Sequence, residues 1–196
     1  MLFVGCICLV VVFLFFCVFK FWVVGNNKIV ENVDDLDEYF LGMKNYRASC
    51  VVSVVSNKNE NTYRLSQVQQ DGVLVQEVVD ADTGDGVVIE CAGNRVIVRN
   101  TALSLEKVFD MYGEMFNSSM GLDAFIEDYV ADSRREVREE NGYFIVSVKA
   151  KNSQNKYSKS KVLYFNRESN SIEKIVVKDI NNKDLVIIEY ISLEIL

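Results

Sequence analysis

The chain contains no histidine and no proline among its 196 residues. Losing histidine removes the usual general base, the usual neutral metal ligand and the near-neutral proton switch together. Ser-His and Cys-His nucleophile arrangements therefore cannot be built within the chain. No GxSxG, P-loop, GxGxxG or HExxH motif occurs, which takes away most hydrolase and nucleotide-enzyme readings. Cysteine is scarce outside the N-terminus: Cys6, Cys8 and Cys17 lie in an apolar run, leaving Cys50 and Cys91 with no CxxC or zinc-type spacing. Those two read either as one disulfide in an oxidising compartment or as two small buried hydrophobes. Positive charge is in deficit, with 21 Lys and Arg against 28 Asp and Glu and a net charge of -7. A phosphate-binding protein wants the opposite sign, so nucleic acid is not an expected partner. Adjacent carboxylates such as Glu127-Asp128 and Glu139-Glu140 are expected by chance in so acidic a chain, and neighbours in sequence point in different directions. Asp123, Glu127 and Asp128 read as the solvated face of a helix, and no EF-hand spacing is present. The inventory points to a protein that is not an enzyme and needs no cofactor or metal.

What is present begins with a long apolar run. Residues 1–24 hold a single charge, Lys20, and the unbroken stretch from Met1 to Phe19 is long enough to cross a hydrocarbon layer of ~30 Å as a helix. Phe15, Phe16, Phe19, Phe21 and Trp22 crowd its end, where a cleaved signal peptide would carry small residues. An uncleaved transmembrane anchor is expected, with Lys20 snorkelling and Trp22 at the interface. Phe3-Val4-Gly5-Cys6 resembles a lipobox, but the apolar run follows the cysteine instead of preceding it. Cys6 is a lipidation candidate only if translation starts upstream of Met1.

Residues 25–45 are a linker and an amphipathic helix. Val33, Leu36, Tyr39, Phe40 and Met43 form the stripe, and Asp34, Asp35, Asp37 and Glu38 suit its N-terminal dipole. The domain proper, 46–196, then reads as short β-branched runs separated by turn signals. Five strands are expected at 47–56, 62–69, 73–80, 87–91 and 95–100. Asp71-Gly72 and Gly93-Asn94 supply hairpin turns. A helical insert is expected at about 103–132. Its first helix carries Leu105, Val108, Phe109, Tyr112, Met115 and Phe116 with Ser104 as N-cap, and its second carries Leu122, Phe125, Ile126, Tyr129 and Val130. Strands resume at 134–138, 143–150, 159–166, 171–179 and 185–193, making about ten. Lys149, Lys151, Lys156, Lys159 and Lys161 form the basic concentration of the chain. It reads as a solvated loop with strand-edge lysines in preference to a patch for an anionic partner.

The order of helix, meander, helical insert and second meander resembles the LolA/LolB-type lipoprotein-carrier fold. Two stretches carry the likeness: Tyr46-Arg47-Ala48 through Gly93-Asn94-Arg95-Val96-Ile97-Val98, and Leu163-Tyr164-Phe165-Asn166 through Ile187-Ile188-Glu189-Tyr190. The resemblance implies an α+β, mostly antiparallel domain: an incomplete β-barrel with helices on its open face, following the N-terminal transmembrane helix. Within that fold the chain is most similar to the GerS group of germination lipoproteins from spore-forming Clostridia. That similarity implies a non-catalytic, membrane-anchored, extracytoplasmic adaptor in the spore envelope or intermembrane space. Its partner would be a cell-wall amidase of the CwlD type acting on the spore cortex, and a homodimer formed by exchanged strands is a further implication. The fold leaves open a carrier of lipid or lipoprotein acyl chains, or an envelope-stress sensor domain. Phe109, Tyr112, Phe116, Phe125 and Tyr129 would line an apolar cavity in a carrier, or plug the same space in an adaptor.

Overall fold

A computed structural model describes residues 29–56, 58–79, 86–110, 121–151 and 158–196. The apolar segment with Cys6, and Tyr112 and Phe116, lie outside these residues. Among the described residues no helix is long and apolar enough to cross a membrane.

The first element is helix α1, Val33–Gly42. Asn32 starts it, because its side-chain oxygen accepts the amides of Asp34 and Asp35 at 3.0 and 3.2 Å. The Asp35 carboxylate in turn accepts the Asn32 amide at 3.1 Å. This reciprocal box satisfies amides that have no partner within the helix. Leu36, Tyr39 and Phe40 are buried, as is Met43 just past the helix, whereas Val33 from the same sequence stripe is exposed.

Eleven strands then form one antiparallel sheet. The first meander is β1 (Tyr46–Val55), β2 (Glu60–Gln70), β3 (Val73–Val78), β4 (Val87–Ala92), β5 (Arg95–Asn100) and β6 (Leu105–Asp110). Helix α2 (Leu122–Ala131) separates it from β7 (Glu136–Glu140), β8 (Tyr143–Lys149), β9 (Ser160–Asn166), β10 (Ser171–Lys178) and β11 (Asp184–Ile195). The spatial order is β6-β5-β4-β3-β2-β1-β11-β10-β9-β8-β7. The first and last strands thus meet at the centre, and among the described residues β6 and β7 are the two free edges. This open, mostly antiparallel sheet with two helices is consistent with the LolA-like expectation. Two hairpin turns follow from their dipeptides. Asp71-Gly72 and Asn141-Gly142 all take positive φ, the geometry that matches strand twist and that only such residues adopt cheaply.

One face of the sheet carries the core. Tyr46, Ala48, Cys50 and Val52 alternate inward on β1, as do Phe144, Val146 and Val148 on β8 and Leu163 and Phe165 on β9. They join Leu36, Phe40, Leu122 and Phe125 of the helices in a single cluster. Each fully buried side chain of this size contributes roughly 1.5–3 kcal/mol.

The structure corrects the helical insert. Leu105–Asp110, the described part of its first half, is strand β6, paired with β5 from Arg95↔Asp110 to Asn100↔Leu105. Ser104, expected as an N-cap, instead sits at φ 51° in the connecting turn. Leu105, Val108 and Phe109 satisfy a helical period, but so short an apolar run fits a strand equally well. The open edge of β5 offers a ladder of backbone partners that decides between them. Arg99 reinforces the choice by reaching Glu90 on β4 and Glu106 on β6, both at 2.8 Å. The second half of the insert is α2, and the sheet has eleven strands instead of about ten.

Candidate functional site

The two helices seal the inner face of the β7–β11 half through aromatic packing. Tyr39 meets Phe165 edge-on at 5.0 Å between ring centres, and Phe40 meets Tyr129 at 4.8 Å and Phe125 at 5.9 Å. Phe125 and Tyr129 are therefore part of the packed core, and Phe109 on β6 is half-buried against its rim, under the Lys107 ammonium at 4.9 Å. The Tyr129 hydroxyl donates to Asp37 of α1, and Arg135 donates to both Asp37 oxygens at 2.9 and 3.2 Å. The Arg135 guanidinium also lies 4.4 Å over the Tyr129 ring, so the two helices and the entry to β7 are locked together.

Beneath α2 lies an ion pair that the sequence does not reveal. Lys161 on β9, grouped above with solvated lysines, is 1% exposed, and Asp128, grouped with a solvated helix face, is 8% exposed. The Lys161 Nζ stands 2.8 Å from Asp128 Oδ2 as an ion pair and donates a hydrogen bond to the Ala124 carbonyl at 3.0 Å. Asp128 Oδ1 accepts the Lys151 amide at 2.7 Å. Burial pushes the Lys161 ammonium below the ordinary lysine range, opposed by the Asp128 charge. Asp123 in the first turn of α2 is also inward: its Oδ1 is buried without a hydrogen-bond partner, and burial raises its carboxyl above the usual range.

Cys50 and Cys91 are free and buried. Cys50 is on β1 and Cys91 on β4, with β2 and β3 between them. At about 4.8 Å per strand that gap exceeds any disulfide span. Of the two alternatives, buried thiols is the one realised. Burial pushes the Cys50 thiol up to about 12 and that of Cys91 to about 11, so neither is a nucleophile.

The opposite, outer face of the same half carries a groove of about 660 Å³. Its floor is a cross-strand row: Arg138, Ile145, Tyr164, Lys174 and Glu189 stand opposite one another on β7, β8, β9, β10 and β11. Tyr143 and Tyr164 meet edge-on at 6.4 Å, and the Lys174 ammonium lies 4.4 Å over the Tyr164 ring. At the groove's end the β10 register shifts between Ile172 and Lys174. The intervening Glu173 takes the Tyr143 hydroxyl on one oxygen at 2.8 Å and the Asn166 amide on the other at 2.7 Å. A bulge at such a place re-aims a side chain. A second depression, of about 700 Å³, borders the first at Asn141 and Tyr143, by the β7–β8 turn. Tyr143 and Tyr164 were legible only as strand residues, and nothing in the spacing marks the bulge.

The two free edges differ. β7 carries Glu136, Arg138, Glu139 and Glu140, charges that discourage pairing with another strand. On β6 and the turn before it, Leu103, Leu105 and Val108 are exposed.

Among the described residues, an unclosed antiparallel sheet of eleven strands packed on one face by two helices defines the fold class. The comparisons with known proteins agree at that level. The chain is similar to the GerS lipoprotein in the complex of the CwlD amidase from Clostridioides difficile with GerS, at 23% identity and TM-score 0.52. The match covers 82% of this chain and 92% of that one. An uncharacterised conserved protein from Thermus thermophilus matches at 9% identity and TM-score 0.50, over 83% of this chain and 86% of its own. A LolA-superfamily protein from Nitrosomonas europaea matches at 9% identity and TM-score 0.46, over 84% and 91%. No protein-family model and no curated protein sequence matches the chain.

Proposed function

We propose that this protein is a non-catalytic, membrane-tethered extracytoplasmic adaptor that binds a cell-wall amidase of the CwlD type and supports cortex modification during spore formation. The observation that carries this reading is the correspondence with the GerS chain, which spans 92% of that chain and was solved bound to an amidase. The absence of histidine from the sequence agrees with a role that needs no general base. Residues 1–24 supply the tether in this reading, and the domain stands outside the cytoplasm. The free edge β6, with Leu105 and Val108 exposed, is where strand exchange with a second copy would begin.

The test is capture of partners by the full-length chain, solubilised from sporulating cells, with identification by mass spectrometry and a matching gene deletion. Recovery of a cell-wall amidase, with a germination defect and normal vegetative growth, is expected. Recovery of lipid or lipoproteins without an amidase would move the assignment to a carrier.

A further inference from the structure

We infer that the outer groove of the β7–β11 half is a saccharide-binding site that accepts an uncharged glycan chain. The inference deepens the amidase-adaptor reading, since a cell-wall amidase works on stem peptides hung from such a chain.

Every strand under the groove from β8 to β11 is paired on both sides. Those strands leave no free ladder, and the charges along the β7 edge discourage a peptide strand from adding there, so recognition falls to side chains. Those side chains are of two kinds in alternation. Tyr143 and Tyr164 present flat aromatic surface over the buried Ile145, while Glu173, Glu189 and Arg138 present directional acceptors and donors between them. The ionic groups nearly cancel, with two cations against three carboxylates. That balance disfavours polyanions and strongly basic or acidic peptides, and the polar lining disfavours acyl chains.

A sugar ring matches this alternation: its C–H faces lie against aromatic or aliphatic side chains, and its rim of hydroxyls both donates and accepts. Glu173 is already built for the acceptor role. The bulge aims it, and the Tyr143 hydroxyl and Asn166 amide fix both oxygens, leaving further lone pairs for a ligand hydroxyl without a cost for ordering the side chain. The second depression bordering the groove at Asn141 and Tyr143 offers room beside it for further sugar units of the same chain. Lys174, resting on the Tyr164 ring, is the flexible element that must swing aside to bare that ring.

The test uses the full-length chain in detergent with N-acetylglucosamine oligomers as the uncharged probe and free stem peptides as the contrast, with binding followed calorimetrically. Saturable binding is expected, weakened about tenfold or more by Tyr164→Ala and by Glu173→Gln, while Tyr164→Phe, which keeps the ring, stays near wild type. Glu106→Gln on the distant β6 edge leaves binding unchanged, and melting curves verify that each variant is folded. The inference is overturned by absence of saturable binding, by binding that survives both groove substitutions, or by binding to free stem peptides alone. Amidase affinity, measured on the same samples, separates the two readings: no glycan binding by the wild-type chain with amidase binding intact overturns the groove and leaves the adaptor standing.

Discussion

Replacing Lys161 by methionine tests whether the pair under α2 holds the fold together. The substitution keeps length and apolar volume but strips the ammonium from a side chain that is 1% exposed. Asp128 is then left as a buried carboxylate with one remaining partner, the Lys151 amide at 2.7 Å. Breaking one side of a buried pair costs about 3–5 kcal/mol, most of it from the orphaned charge. For a domain of this size that corresponds to a fall of roughly 6–20 °C in melting temperature. Asp128→Asn strands the ammonium instead and should cost a similar amount. In the double variant neither charge is left and the asparagine oxygen still accepts from Lys151, while the Ala124 carbonyl loses its donor and the asparagine NH2, in the place of Oδ2, faces the methionine. Its cost should fall to about 1–2 kcal/mol, so the two substitutions are coupled by at least ~2 kcal/mol. Melting of the four proteins by circular dichroism gives the cycle. Single variants within about 0.5 kcal/mol of wild type, or strict additivity in the double, would show that the pair does not act as a unit.

Two aspartates should respond to the same substitution with opposite sign. Burial holds the Asp123 carboxyl above the ordinary range, so its ionised form weakens the fold at neutral pH. Asp123→Asn should therefore raise the melting temperature at pH 7, with the gain vanishing as pH falls towards ~3.9. Asp132 is held below that range by the Lys149 amide at 2.8 Å and also accepts the Arg134 amide at 3.0 Å. Its contribution is present above ~3.9 and lost as pH falls through its lower folded value, so Asp132→Asn should destabilise at pH 7 and have little effect in strong acid. Cys50 and Cys91 should resist alkylation in the native protein and react in denaturant, read site by site by mass spectrometry; rapid native labelling of either would contradict their burial. Phe125→Ala, which empties a fully buried position between α2 and Phe40, should cost about 3–5 kcal/mol.

The legible parts of the fold are those written locally. Asp71-Gly72 and Asn141-Gly142 mark hairpins because those residues tolerate positive φ, and the stripes of α1 and α2 mark faces that must be covered. Where two periods fit one short run, as at Leu105–Asp110, the choice rests on the β5 edge beside it, which is a tertiary fact. Charge was misleading for the same reason. Lys161 and Asp128 look like surface residues in sequence and become an internal pair only because α2 lies across β9. The Glu173 bulge has no local signature, since an extra residue in a strand shows only against its partner's register. Nor does the sequence disclose that Arg138, Tyr164, Lys174 and Glu189 share one row, because four separate pairings must be known first.

Association with a cell-wall amidase, without catalysis by this chain, is open to a direct assay: sedimentation velocity of the full-length protein with a purified CwlD-type amidase. A saturable complex of fixed stoichiometry is expected, with no hydrolysis of cell-wall fragments by the chain alone. No complex at concentrations of about 100 μM, or hydrolysis by the isolated chain, would contradict the adaptor role.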